Sequence, residues 1–313
     1  MSFTITRAKK SGMSENEVNI TQDQAVDGER ISITEERSGH KIRHILVALD
    51  ASKHSQAVLE TAASLAAKLE SEILGLFVED INLLRLEELP FVREINFQRM
   101  VGRAFENGEI QRKLRARAAL VRHEVEDIAE RYQIRSTFRV VRGPVDTELL
   151  AAALEADLLA IGQLGHSVIR RSRLGSTAQT AVAQASSAVL VVRAGFEIRQ
   201  PILVIYDGSE VALRALALAV NLAGKKGDIR VLIWAVDDEA AYAERQTVST
   251  FLEPAGIEAE YQHFKSDDSA VILELIRKQT VGMIVLGTTD AHLQPSIIQM
   301  ILEDAPQHVL VVR

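Results

Sequence analysis

The sequence predicts an α/β protein built on parallel β-sheet, because short aliphatic runs alternate with stretches of helical periodicity along most of the chain. Apolar residues make up 47% of the 313 residues and aromatic residues only 4%, a balance typical of strands covered by helices on both faces. Residues 44–50 read HILVALD and predict a strand, and residues 55–69 carry apolar positions at helical spacing. The alternation continues to residue 313, so β-α-β units with right-handed crossovers are expected.

Several sequence motifs occur twice, which indicates an internal duplication. ILVALDAS at 45–52 reappears as ILVIYDGS at 202–209, and AVLVVR at 188–193 reappears as HVLVVR at 308–313. The second copy is shorter than the first. We therefore predict three segments: a polar tail or arm at 1–40, a first domain at 41–195, and a degenerate second domain at 200–313.

The composition argues against several classes of protein. The chain contains no cysteine, which excludes disulfides and thiolate metal sites and fits a reducing cytoplasm, where we expect the protein to be. Its formal net charge is −7 with no strongly basic stretch, so nucleic acid is not an expected partner. No uninterrupted run of 18 apolar residues occurs, and residues 1–18 lack an apolar core, so neither membrane insertion nor a secretory signal is expected.

The segment between the predicted fourth strand and the next helix has the pattern of a phosphate-binding loop. Two residues separate Gly162 from Gly165, and nine separate Gly165 from Gly175, which Ser176 and Thr177 follow at the start of the helix. Glycine has no Cβ to block the approach of backbone N–H groups to phosphate oxygens. A helix N-terminus adds unpaired N–H donors and the positive end of the helix dipole. The alternative is an ordinary loop whose glycines provide positive φ angles.

On these residues the chain resembles the universal stress protein family, whose nucleotide-binding signature is Gly, two residues, Gly, nine residues, then Gly and Ser or Thr. Asp50-Ala51-Ser52 after the first strand and Phe77-Val78-Glu79-Asp80 after the second also match the family. The resemblance covers residues 41–313 in two copies and is specific in the first. It implies two tandem open five-stranded parallel sheets in the order 3-2-1-4-5, with helices on both faces.

The resemblance also implies a role for each matching residue. Asp50 would accept hydrogen bonds from ribose hydroxyls, and Val78 would meet adenine through its backbone. The glycine loop, with Ser176 and Thr177, would hold the phosphates. The predicted ligand-binding residues are therefore Asp50, Ser52, Val78, Gly162, Gly165, Gly175, Ser176 and Thr177. For Asp50 the alternative is a turn or cap at the strand-to-helix junction together with Ser52. We assign no catalytic residue and no metal ligand.

The second copy lacks most of the loop. It retains Gly287, but Asp290 stands where the first copy has Gly165, and no Gly-Ser/Thr pair follows. We therefore expect one site, for ATP or possibly ADP or AMP, with Mg²⁺ as an optional companion of the nucleotide. The predicted function is stress response or signalling through nucleotide-dependent conformation or assembly. The alternatives are a slow ATPase or autophosphorylating enzyme, and a scaffold that works without nucleotide.

The last strands of the two copies predict how the copies assemble. In the order 3-2-1-4-5 the fifth strand is an edge, with unpaired backbone groups. Residues 188–193 and 308–313 are aliphatic and contain no Pro, no Lys and no bulge signal. We expect these strands to pair within one chain as a pseudo-dimer, so that a homodimer of chains would use other surfaces.

Overall fold

The computed structural model describes most of the chain from residue 41 onward. Residues 41–313 form one compact unit. The predicted tail at 1–40 lies outside the described residues, as do parts of several loops. The described ranges are 41–87, 93–96, 101–104, 108–164, 174–195, 198–225, 227–265, 269–288 and 295–313.

Strands and helices alternate through both copies, as the sequence predicts. The first half contains β1 (His44–Leu49), α1 (Lys53–Leu69), β2 (Glu72–Asp80), α2 (Ile81–Glu87), β3 (Arg93–Asn96), β4 (Val101–Ala104), α3 (Glu109–Tyr132), β5 (Ser136–Gly143), α4 (Val145–Ala153), β6 (Leu158–Gly162), α5 (Ser176–Gln184) and β7 (Ala188–Val192). The second half contains β8 (Ile202–Tyr206), α6 (Glu210–Ala223), β9 (Ile229–Trp234), α7 (Asp238–Leu252), a 3₁₀ turn (Glu253–Ala255), β10 (Ala259–Phe264), α8 (Ser269–Lys278), β11 (Met283–Gly287), α9 (Pro295–Asp304) and β12 (His308–Val312).

The helix that follows the first strand of each half begins at a serine cap. The Ser52 side chain accepts a hydrogen bond from the Ser55 N–H at 3.1 Å, which starts α1. Ser209 does the same for the Ala212 N–H at 3.1 Å and starts α6. Such a cap satisfies one of the N–H groups that lack a partner in the first turn of a helix. The repeated Asp-x-Ser sequence therefore folds in the same way in both halves.

The strand order confirms the predicted α/β fold and adds to it. A ten-stranded sheet runs β10-β9-β8-β11-β12-β7-β6-β1-β2-β5, so each half has the order 3-2-1-4-5 with parallel neighbours. The predicted pairing of the final strands is also confirmed, since β7 and β12 pair antiparallel. The two predicted sheets are thus one continuous sheet. Between α2 and α3, β3 and β4 form a separate two-stranded sheet.

A pseudo-two-fold axis passes through the centre of the sheet. Leu190 pairs with Leu310, Val191 with Val309 and Val189 with Val311. Leu190 and Leu310 occupy the same place in AVLVVR and HVLVVR, so each half presents the same surface to the other, as in an isologous dimer.

Helices cover both faces of the sheet, and each face has one core cluster that spans both halves. The first cluster joins Val58 of α1 and Val121 of α3 to Leu216 of α6. The second joins Leu149 of α4 to Ile301 of α9. The apolar core is therefore continuous across the β7–β12 pairing. A division into domains at residues 195–200 stays a prediction from the repeat.

Candidate functional site

A cavity of about 360 Å³ opens at the carboxyl edge of the first-half strands, and we call it the first-half cavity. The ends of β1, β2 and β6 form its floor, and the first turns of α1 and α5 and the first half of α3 form its walls. Its volume lies within the range of small-molecule sites, roughly 300–1,000 Å³. Among its lining residues with polar side chains are Asp50, Ser52, Ser55, Asp80, Arg117, Ser176 and Thr177.

The fold brings nearly all of the predicted ligand-binding residues to this cavity. Asp50, Ser52, Val78, Gly162, Gly175, Ser176 and Thr177 line it. Gly165, the eighth residue, lies outside the described residues. β1 and β6 are neighbours, with Ile45 paired to Leu158, so the residues that follow these strands face each other across one crevice. Open α/β sheets bind ligands in this position, where the strand order reverses.

Asp50 and Ser52 form a tight turn at the floor of the cavity. Asp50 Oδ1 accepts a hydrogen bond from the Ser52 N–H at 3.0 Å, and Ser52 in turn caps α1. Asp207 and Ser209 make the matching bond in the second half, at 3.1 Å. The turn-and-cap alternative therefore describes a real role of this motif, in both halves. Any contact that Asp50 makes to a ligand comes in addition to that role.

The residue in the middle of this turn has a left-handed backbone. Ala51 has a φ of 61°, and Gly208 at the same place in the second half has a φ of 81°. Non-glycine residues rarely adopt this region because Cβ then approaches the backbone, and such strain is concentrated at functional sites. In the first half the strain lies at the floor of the cavity, between Asp50 and Ser52.

The backbone angles at the two described loop glycines, Gly162 and Gly175, can be adopted by other residues. Gly175 has a φ of −65° and a ψ of 148°, which any residue adopts. Gly162 is also absent from the residues with positive φ, and a Cβ built there would lie 3.4 Å from its nearest neighbours. The conformational explanation of the loop thus fails at both positions. The other use of glycine, close approach of backbone to a ligand, remains for them.

Helix α5 points its first turn into the cavity without a side-chain cap. Its N-cap is Gly175, and no side chain of the described residues accepts a hydrogen bond from the first-turn N–H groups. By contrast, α1 in the same cavity is capped by Ser52. Among the described residues these first-turn N–H groups have no side-chain partner, and together with the dipole of α5 they favour an anion.

Two charged side chains of the cavity, Arg117 and Asp80, were not among the predicted ligand-binding residues, although Asp80 belongs to the motif at 77–80. Arg117 lies on the exposed side of α3, and among the described residues its guanidinium makes no hydrogen bond or ion pair. Asp80 ends β2 and accepts from the Asn82 N–H at 2.8 Å. The sequence did not indicate a role for Arg117, because this residue lies in a helix rich in charges of both signs. The useful signal is topological, because the crossover helix after β2 has to begin at the carboxyl edge of the sheet.

The corresponding region of the second half is acidic. The Glu244 carboxylate on α7 lies against the turn, such that a Cβ built on Gly208 would be 2.6 Å from its Oε1. Burial, followed by the charges of Glu244 and Asp207, raises the pKa of the Tyr206 hydroxyl. The crossover helix therefore supplies a carboxylate here, where α3 supplies Arg117 in the first half. Asp290 lies outside the described residues.

A second cavity, of about 620 Å³, lies between α5 and α9. Its lining is mostly apolar and includes Val182, Ile298 and Leu302, together with the polar Gln179 and Arg313. None of the predicted ligand-binding residues lines it. Its larger size therefore does not make it the better candidate for a nucleotide.

No helix in the described part of the chain is long and apolar enough to cross a membrane. Nor do three or more His, Asp or Glu side chains come together there in a group that could hold a metal ion.

The strand order and the crevice above β1 and β6 define a doubly wound α/β protein with a cavity at its switch point, where proteins of this class bind ligands. Residues 41–193 match the model of the universal stress protein family, and this first half of the chain belongs to that family. The match ends just after β7, so the second half lies outside it. A comparison with curated proteins found no match.

Solved structures show the same fold over nearly the whole chain. A universal stress protein from Archaeoglobus fulgidus DSM 4304 is 20% identical, covers 86% of this chain and 97% of its own, and has a TM-score of 0.67. A protein of unknown function from Pseudomonas aeruginosa PAO1 is 15% identical, with coverages of 88% and 94% and a TM-score of 0.58. A putative universal stress protein from Pseudomonas aeruginosa UCBPP-PA14 is 16% identical, with coverages of 87% and 93% and a TM-score of 0.55.

Proposed function

We propose that this universal stress protein binds one adenine nucleotide per chain, in the first-half cavity, and acts in stress response or signalling through the resulting change of conformation or assembly. The nucleotide is ATP, or ADP or AMP in its place, with Mg²⁺ as a companion of the phosphates. Residues 41–195 then form the nucleotide-binding domain and residues 200–313 a domain without a nucleotide of its own.

The observation that carries this proposal is the start of α5. An uncapped helix N-terminus faces a cavity of suitable size, and Gly175 at its entrance has backbone angles that do not require glycine. A phosphate would satisfy the unpaired N–H groups, and a side chain at Gly175 would stand in its way. Arg117 adds a cation to the same cavity.

The charges of the two halves support a single site. The first-half cavity has Arg117 on its crossover helix, whereas the second half places Glu244 against the equivalent turn. A carboxylate repels the phosphates of a nucleotide and a guanidinium attracts them. The second half would then have a structural or regulatory role.

Calorimetric titration of the intact chain with ATP, ADP and AMP, each with and without Mg²⁺, tests the proposal. We expect saturation at one nucleotide per chain. Two equivalent sites would contradict the assignment to the first half alone. The absence of binding by all three nucleotides would favour the scaffold that works without nucleotide, and mass spectrometry of ligands retained through purification checks that result independently.

The second candidate is an enzyme that slowly hydrolyses ATP or phosphorylates itself. Asp50 and Asp80 are the cavity carboxylates that could take part, but the binding proposal already uses Asp50 as the acceptor for the ribose hydroxyls. We therefore rank it second. A phosphate-release assay separates it from the binder, with the Gly175→Val variant as a control for contaminating ATPases.

A further inference from the structure

The two halves hold the ends of each other's helices through a pair of arginines that follow the central strands. Arg193, after β7, donates from Nη2 to the Leu302 carbonyl at 2.6 Å and from Nη1 to the Glu303 carbonyl at 3.4 Å, at the end of α9. Arg313, after β12, donates from Nη2 to the Val182 carbonyl at the end of α5. Cations at helix C-termini satisfy the last carbonyls and interact favourably with the dipole. Each half thereby stabilises a helix of the other.

One residue of the predicted phosphate loop joins this contact. The Gln163 side chain donates from Nε2 to the Glu303 carbonyl of the second half at 3.3 Å. Its backbone N–H donates to the Val192 carbonyl at 3.1 Å, and its carbonyl accepts from the Gly175 N–H at 2.8 Å. Gln163 directly follows Gly162. It therefore ties both glycine ends of the loop to β7 and to the end of α9.

Helix α5 makes a second connection between the cavity and the second half. Ser176 and Thr177 in its first turn line the first-half cavity, while Val182 in its last turn accepts from Arg313. The residue at the same place in the second half makes the same backbone bond but keeps its side chain within its own half. Thr288, which follows Gly287, donates from its N–H to the Val312 carbonyl at 2.8 Å, as Gln163 does to Val192, and its Oγ1 donates to the same Val312 carbonyl at 3.3 Å.

We propose that the second half positions Gly175 and the first turn of α5 for nucleotide binding, with Gln163 acting through its bond to Gly175 and Arg313 acting through the end of α5. This inference rests on the proposed function, because it concerns the regulation of the same site. Coupling between two sites is reciprocal, so nucleotide binding strengthens the Gln163–Glu303 contact as much as that contact strengthens nucleotide binding. The second copy thus has a role that requires no ligand of its own.

The test compares three single variants of the intact chain by calorimetric titration with ATP. Gln163→Met keeps the length of the side chain and removes its donor, whereas Gln163→Lys keeps a donor for the Glu303 carbonyl. Gln200→Met is the control variant. Gln200 Nε2 donates to the Ala223 carbonyl at the end of α6 at 2.7 Å, its Oε1 accepts from the Asp228 N–H at 3.0 Å, and Gln200 does not line the first-half cavity. Loss of one neutral hydrogen bond predicts a Kd for ATP about threefold to tenfold higher in Gln163→Met. We expect both Gln163→Lys and Gln200→Met to bind ATP with the affinity of the wild type.

Hydrogen exchange gives a readout that a purely structural role would not change. In the wild type, ATP should slow exchange at the Ala305 amide, which bonds to the Ile301 carbonyl in the last turn of α9, and Gln163→Met should abolish that effect. If the wild type binds ATP and Gln163→Met binds it equally well, the inference is wrong and the proposed function stands. If Gln200→Met loses as much affinity as Gln163→Met, the loss reflects general destabilisation and the inference is again wrong. A wild type that binds no nucleotide overturns both.

Discussion

Replacing Gly175 by valine tests whether glycine is needed at this position for the approach of a ligand or for folding. The φ of −65° and ψ of 148° at Gly175 are readily adopted by valine. Replacing glycine reduces the conformational entropy of the unfolded chain and stabilises by about 0.4–1 kcal/mol. The N-cap preference for glycine over an apolar residue opposes this by about 1 kcal/mol. These effects oppose each other, so the free energy of unfolding should change by less than about 1 kcal/mol.

The effect on nucleotide binding should be much larger. Valine at this position places a branched side chain at the start of α5, where the unpaired N–H groups face the first-half cavity. If it prevents two charge-assisted hydrogen bonds to phosphate, each worth about 1.5–3 kcal/mol, binding weakens by about 3–6 kcal/mol. That free energy corresponds to a Kd at least about 100-fold higher.

Calorimetric titration with ATP and urea unfolding measure the two effects on the same variant. Gly256→Ala provides the opposite pattern. Gly256 has a φ of 66°, and no atom lies within 4 Å of a Cβ built there, so alanine should cost about 1–2 kcal/mol of stability through backbone strain alone. Its affinity for ATP should not change. Wild-type affinity in a folded Gly175→Val protein would refute the argument, and so would an unfolded variant, because the backbone angles predict tolerance.

Three further predictions concern the sheet, the turn and the cavity charge. Val191→Pro should destabilise by about 3 kcal/mol or more, since β7 lies at the centre of the sheet where proline breaks the ladder, and small-angle scattering should then show a more extended particle. Ala51→Gly should change the free energy of unfolding in urea by less than about 1 kcal/mol, because relief of the left-handed strain offsets the added entropy of the unfolded chain. Gly208→Ala should lower the same free energy by about 1–2 kcal/mol, because alanine is strained at a positive φ. Arg117→Met should raise the Kd for ATP about fivefold and leave that for adenosine unchanged, and an equal loss for both ligands would place Arg117 against the base.

Much of the fold could be predicted because it follows from the local spacing of apolar residues along the sequence. The aliphatic runs and helical spacings of residues 44–69 predicted β1 and α1, and the duplicated motifs predicted two halves with the same element order. The pairing of β7 with β12 followed from two edge strands of almost identical sequence. Helix and strand periodicity is a property of neighbouring residues, and a sequence therefore displays it directly.

Most of the residues that line the first-half cavity at the carboxyl ends of β1 and β6 could be predicted for a related reason. Asp50 and Gly162 each follow an aliphatic run, and parallel strands bring the residues at their carboxyl ends to one edge of the sheet. Arg117 and Asp80 were not predicted as residues of the candidate site. A charged residue within a charged helix has no local feature that distinguishes a position facing a cavity from one facing solvent.

The sequence by itself determined the α/β class, the duplication, the family resemblance and the residues that surround the candidate site. Only the tertiary structure decided that Gly162 and Gly175 lack positive φ angles, that Arg117 lines the first-half cavity, and that Gln163 bonds to the second half. Gln163 and Glu303 are 140 positions apart, and they meet because α9 packs against the end of the opposite half. Backbone angles and contacts of this range depend on how whole elements pack together, and no spacing of residue types along the chain encodes them.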